Sequence, residues 1–184
     1  MSSPTSAPSC PAVDVQPVAP SELEAVLPAL VDLFVEAVNG DTGLGYVAPI
    51  ARGVSLQYWL SIGHELDAGT RILLVASIDN RIVGSGQIAF PTMPNARHRG
   101  ELQKLFVDRS LRGQGIGRAL VTALHDEARR RGRSLILLSA RRGESGERLY
   151  RSMGYEEVGV VPGYSLAAGG TRADTVFMYL QLPE

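Results

Sequence analysis

ELQKLFVDRSLRGQGIGRALVTALHDEARRR, residues Glu101 to Arg131, reads as strand, loop and helix. ELQKLFV is a short apolar-rich run, broken by the polar turn residues that begin at Asp108. Downstream, Ile116, Ala119, Leu120, Ala123, Leu124 and Ala128 recur at the i, i+3, i+4 spacing of one buried helix face. Between the two lies Arg112-Gly-Gln-Gly-Ile-Gly117. Its glycines lack Cβ atoms where a backbone turns tightly or approaches a ligand closely. The unbonded N–H groups of a first helical turn, with the positive end of the helix dipole, suit a phosphate or pyrophosphate. The spacing is GxGxG. A dinucleotide loop starting at Gly113 needs its third glycine where Arg118 stands, and no Gly-Lys-Ser/Thr follows. Glycine spacing alone therefore fits a structural turn as well as an anion loop.

Composition narrows the class. A chain of 184 residues, 45% hydrophobic and 20% charged, suits one globular domain over residues 13–184. A formal net charge of -1 gives no global field for nucleic acid. Cys10 is the only cysteine, so no disulfide forms within the chain, in keeping with a cytoplasmic protein. His64, His98 and His125 lack metal-ligand spacing, so no metal is expected. No apolar run is long enough to span a bilayer, so no membrane partner is expected. Residues 1–12 are rich in Ser and Pro, lack the features of a signal peptide, and are expected to be a disordered tail.

Val13–Val18 alternates as a short strand, and Pro17 directs it to a sheet edge. Ser21, with Glu24, reads as the cap of a helix running to Asn39 and Gly40, interrupted by Pro28. Arg52–Leu66 reads as a second helix, with Trp59 in the core. Arg71–Ile78 and Arg81–Phe90 form a hairpin about Asp79-Asn80, a pair that tolerates positive φ. The loop from Pro91 to Gly100 holds Arg97, His98 and Arg99, which fit either an anionic group or a solvated surface. A strand at Ser134–Ala140, a helix that starts near Glu144 and ends just before Gly154, and strands at Tyr155–Val161 and Thr175–Leu182 complete the chain. A glycine-rich loop, Pro162–Asp174, joins the last two.

Arg112-x-x-Gly115-x-Gly117 directly after a strand resembles the coenzyme A pyrophosphate loop of the GNAT superfamily of acetyltransferases. SLILLSA and ERLYRSMGYEEVG, beginning at Ser134 and Glu147, resemble the strand, helix and strand that follow in that family. Asn95–Leu182 is further similar to the family's tabtoxin-resistance members, which acetylate a β-lactam antimetabolite. The segments N-x-x-HRGELQKLFV, RGQGIGRAL, GERLYRSMGY and VGVVPGYSLAAGG carry that likeness.

The resemblance implies an α/β GNAT fold: a mixed, mostly antiparallel sheet flanked by helices in a single domain. It implies acetyl-CoA as cosubstrate and a small-molecule amine, or less readily a hydroxyl, as acceptor. The backbone of Leu105, Phe106 and Val107 would pair with the pantetheine arm. Arg112, Gly113, Gln114, Gly115, Ile116, Gly117 and Arg118 would hold the pyrophosphate, with Ser145 a further cofactor contact. Glu101 is the candidate base, directly or through water. Tyr150 is the candidate acid toward the coenzyme A thiolate. A phenol of pKa ~10 is a weaker acid than a thiol of ~8.5, so full transfer is uphill by about 2 kcal/mol and hydrogen bonding is the surer role. Tyr46, Gln103, Ser139 and Tyr164 are candidate acceptor contacts. One position departs from the tabtoxin-resistance pattern: Leu138-Ser139-Ala140 stands where those members have Leu-Asp-Thr. Glu101 then acts alone, or the acceptor differs. Acetylation of a protein lysine or N-terminus, and a module that binds acetyl-CoA without turnover, stay open, as does a homodimer.

Overall fold

The computed structural model describes residues 12–183. The expected tail falls almost wholly outside them. Seven strands form one sheet: β1 (Asp14–Pro17), β2 (Arg71–Ile78), β3 (Arg81–Ala89), β4 (Arg99–Val107), β5 (Leu135–Arg141), β6 (Glu156–Leu166) and β7 (Arg172–Gln181). Their order is β1-β2-β3-β4-β5-β7-β6. Only β4 and β5 run parallel, and every other neighbouring pair is antiparallel.

Period-two alternation in β2 sends Leu73 and Val75 to one face and Ile72 and Leu74 to the other. The first face is covered by α1 (Leu23–Asn39), α2 (Arg52–Ser61) and α3 (Gly63–Asp67) through Leu30, Phe34, Trp59 and Ile62. The opposite face is covered by α4 (Ile116–Arg130) through Ile116, Leu120, Leu124 and Ala128; α5 (Ser145–Ser152) adds Tyr150. Trp59 is fully buried against Phe34, as expected of a core tryptophan. Asp79 and Asn80 take φ of 49° and 62° and close the β2–β3 hairpin as expected. Pro17 lies on β1, at the sheet edge.

Four expectations change. Ser21 does not cap α1. It sits in a 3-10 turn, Pro20–Glu22, and the Glu22 carboxylate accepts from the Ala19 N–H at 2.9 Å. Pro28 does not break α1. It lies on the exposed side, where the lost hydrogen bond meets water. The helix expected at Arg52–Leu66 divides at Ile62, whose side chain is buried and which is followed by the weak helix former Gly63. The supposed loop Pro162–Asp174 is mostly strand. Pro162 is tolerated because β6 is the outer strand, at a register shift, and the Asp174 carboxylate accepts from the Gly163 N–H at 2.9 Å.

Close packing under the β4–β5 junction is testable. A Cβ on Gly100 would lie 2.7 Å from Ile88 Cγ2 and 3.2 Å from the Phe90 ring. Gly100→Val is expected to cost about 1–3 kcal/mol by overpacking, read as a lowered thermal midpoint.

Candidate active site

β4 and β5 pair only through Arg99–Leu135, Gly100–Ile136 and Glu101–Leu137, then diverge. On their outer sides both stay paired, β4 with β3 as far as Val107 and β5 with β7 as far as Arg141. The facing edges from Leu102 to Val107 and from Leu138 to Arg141 therefore have no neighbouring strand to bond. They border a cleft of about 640 Å³.

The expected anion loop closes one end. Gly113 and Gly115 have φ of 81° and 84°, left-handed values that disfavour a side chain. Gly115 is the N-cap of α4, and the first intrahelical donor is Ala119, bonding the Gly115 carbonyl at 3.0 Å. The amides of Ile116, Gly117 and Arg118 precede it and have no helical acceptor. The Arg112 guanidinium donates to Thr42 Oγ1 at 3.0 Å, and that of Arg118 to Ser152 Oγ at 2.7 Å. Arg148 and Lys104 also line the cleft and Arg141 is paired there with Asp41 and Glu144, so cations outnumber carboxylates.

Among the anticipated cofactor residues, Leu105, Phe106, Val107, Arg112, Gly113, Gly115, Ile116, Gly117, Arg118 and Ser145 all line the cleft. Gln114 is exposed and does not. Tyr150 lines it from α5, with its ring against Tyr155 at 5.4 Å. Burial raises the Tyr150 phenol further above its ordinary pKa. That weakens it as a proton donor in full transfer and favours the hydrogen-bonding role.

Gln103 and Ser139 line the cleft, whereas Glu101, Tyr46 and Tyr164 stand outside its lining. Glu101 is exposed at the last β4–β5 pair, where the cleft begins. Tyr46 is part-buried, edge-on to Phe34 and Tyr58. Tyr164 is exposed on β6 against Phe177. Arg97 lies with Arg133 at a separate depression.

Several residues escaped sequence reading. The β3–β4 register shifts between Ser85 and Gln87, where Lys104 takes a φ of 50°. This bulge turns both Gln103 and Lys104 toward the α1–α2 side. Gln103 accepts from Arg71 at 3.1 Å, and Lys104 Nζ reaches the Tyr46 and Tyr58 rings. Arg71 also donates to Gln87 at 2.8 Å and pairs with Glu65 at 2.9 Å. The Tyr58 hydroxyl donates to Gln87 at 2.8 Å, and burial pushes its pKa up to about 12. The stretch 40–46 crosses the cleft. The Asp41 carboxylate accepts from Arg141 and from the Ala168 N–H, both at 3.1 Å, and the Leu44 carbonyl accepts from Lys104 at 2.6 Å.

Residues 69–157 match the family model described as the acetyltransferase (GNAT) domain. An N-acetyltransferase from the hisH–hisA intergenic region of Azospirillum brasilense is 35% identical over 114 residues, 61% of this chain and 66% of that one. The ribosomal protein bS18-alanine N-acetyltransferase of Haemophilus ducreyi is 30% identical over 96 residues, 52% of this chain and 66% of that one. These alignments thus span just under two thirds of each relative. The phosphinothricin acetyltransferase of Sinorhizobium meliloti, solved in complex with AcCoA, superposes with a TM-score of 0.75 at 19% identity, covering 94% of this chain and 89% of that one. Residues 69–157 are thus similar to the GNAT acetyltransferase domain, and the chain has the fold of solved GNAT acetyltransferases.

Gly115→Asp sets a carboxylate at the mouth of the loop expected to bind an anion and a side chain at positive φ. It is expected to weaken acetyl-CoA binding at least ~10-fold by calorimetry, with the fold checked by circular dichroism.

Proposed function

We propose that this chain transfers an acetyl group from acetyl-CoA to the amine of a small molecule. The observation that carries this reading is the divergence of β4 and β5 directly before the cationic loop at the start of α4. A pyrophosphate fits the amides of that loop, with Arg112 and Arg118 beside it. A pantetheine arm fits the open edge from Leu102 to Val107, in the manner of an added strand. Acetyl-CoA, when bound, supplies an activated thioester.

The chain's own groups supply the rest. Tyr150 donates a hydrogen bond toward the departing sulfur from the α5 wall. Glu101, at the junction where the cleft opens, draws a proton from the acceptor ammonium, directly or through water. Gln103 and Ser139 offer hydrogen bonds from opposite strands, and Tyr46 and Tyr58 form an aromatic wall. Tyr164 stands on the outer strand, beyond the entrance.

The crossing stretch 40–46 favours a small acceptor. Through Asp41 it joins Arg141 on β5 to Ala168 in the β6–β7 turn, and this spans the approach. A tabtoxin-like β-lactam is the acceptor suggested by the similarity over Asn95–Leu182; Ser139 in place of an acidic residue argues for a different amine. The relative that acts on the alanine of ribosomal protein bS18 supports a second reading, in which a protein N-terminus is the acceptor. Thiol release from acetyl-CoA over small amines, β-lactams and alanine-terminated peptides separates them. Faster peptide turnover would reject the small-molecule reading.

Two substitutions test the roles. Tyr150→Phe is expected to lower kcat about 10²–10⁴-fold if the hydroxyl assists the leaving thiolate, with acetyl-CoA affinity nearly unchanged. A loss below about threefold would leave Tyr150 a core residue only. Glu101→Gln is expected to lower kcat/KM by about 10²-fold at neutral pH, where an alkylamine acceptor is mostly protonated. The deficit should shrink above pH ~9 as the free amine accumulates. Parallel pH profiles for variant and wild type would assign Glu101 to positioning instead.

A further inference from the structure

Lys104 is the only lysine in a chain whose lysines and arginines together number 18. It sits in the cleft wall. Its Nζ lies 5.4 Å from the ring centroid of Tyr46 and 5.3 Å from that of Tyr58. It also donates to the Leu44 carbonyl at 2.6 Å, and Leu44 is itself a cleft residue. An ammonium in this position has lost much of its hydration, and two ring faces and one carbonyl replace only part of it.

The surroundings act on its charge. Burial, and then the nearby Arg71 cation, lower the Lys104 pKa, while Glu101 acts in the opposite sense and is outweighed. The neutral, nucleophilic amine is thus more accessible than on a surface lysine. The backbone of Lys104 belongs to the open edge of β4 proposed to hold the pantetheine arm. Lys104 and Leu44 both line the cleft, so the four-carbon stem keeps Nζ tethered beside that edge. A nucleophile held this way reacts with a bound group in a unimolecular step, at high effective concentration.

We propose that Lys104 is a self-acetylation site, its amine taking the acetyl group of a thioester bound in the same molecule's cleft. This rests on the acetyl-CoA reading given above. The Nζ lone pair adds to the thioester carbonyl carbon, the C–N bond forms and the C–S bond breaks. Sulfur leaves with the electron pair and takes up the proton that nitrogen sheds. The products are Nε-acetyl-Lys104 and free coenzyme A, with no oxidation or reduction. The acetylated side chain keeps one N–H for Leu44 and loses the charge that faces Tyr46 and Tyr58.

The test incubates the purified full-length chain with acetyl-CoA and no acceptor, with peptide mass spectrometry as the readout. Calorimetry measures acetyl-CoA binding in parallel. The expected result is one acetyl group on Lys104, at a rate unchanged on dilution of the protein and suppressed by excess free coenzyme A. Lys104→Arg should show no gain on that peptide. Binding without acetylation of Lys104 would overturn the inference and leave the acetyl-CoA reading intact. Failure to bind would remove both. Acetylation at the same rate in urea-unfolded protein, or despite excess coenzyme A, would mean reaction with free thioester and would equally overturn it.

Discussion

The site depends on the short parallel contact between β4 and β5. Three residue pairs hold the strands together, and beyond Glu101 and Leu137 they part. They can part because each is secured on its other side, β4 by β3 and β5 by β7. A sheet opened in its middle leaves backbone donors and acceptors without partners, and such edges pair readily with an extended chain. Gly100, at the junction, is packed so closely that a Cβ there would strike Ile88 of β3. The helices then take their places around the gap, with α4 directing its first turn toward one end and α5 bringing Tyr150 to the wall.

A second constraint is the crossing stretch 40–46. Its Thr42 meets Arg112 of the glycine loop before α4, its Leu44 meets Lys104 of the bulge, and its Asp41 meets Arg141 of β5. These contacts tie one loop to three walls of the cleft. Arg112 is held by Thr42 in this structure, so binding a pyrophosphate and releasing the loop would draw on the same guanidinium. The concentration of cations at the cleft is also local. The chain as a whole carries a formal charge of -1, and folding gathers Arg112, Arg118 and Arg148 at one opening, where Arg141 is paired with Asp41 and Glu144.

Burial sets the chemistry expected of the two polar wall residues. Tyr150 is held in apolar surroundings beside Tyr155, which favours its neutral phenol and hence a role as hydrogen-bond donor. Lys104 is pushed in the opposite chemical direction, toward loss of its proton, because desolvation disfavours whichever form is charged. One effect thus makes the phenol a weaker acid and the amine a better nucleophile.

The amino-acid sequence by itself determined the features whose cause lies within a few residues. The strand, glycine loop and helix from Glu101 to Arg131, the Asp79-Asn80 turn and the placing of Pro17 at an edge follow from φ preferences, helical period and missing donors. The tertiary structure alone decided the rest. The reach of β6 past Pro162 depends on its having no outer neighbour to require the missing N–H. The bulge at Lys104 exists only in the register of β4 against β3, so no local pattern announces that Gln103 and Lys104 share a face. Glu101 was placed on its strand by sequence, but its position outside the cleft lining follows from where β5 stops pairing. Thr42 and Leu44 joined the site across 70 and 60 residues of chain, through contacts that close only once the sheet has formed.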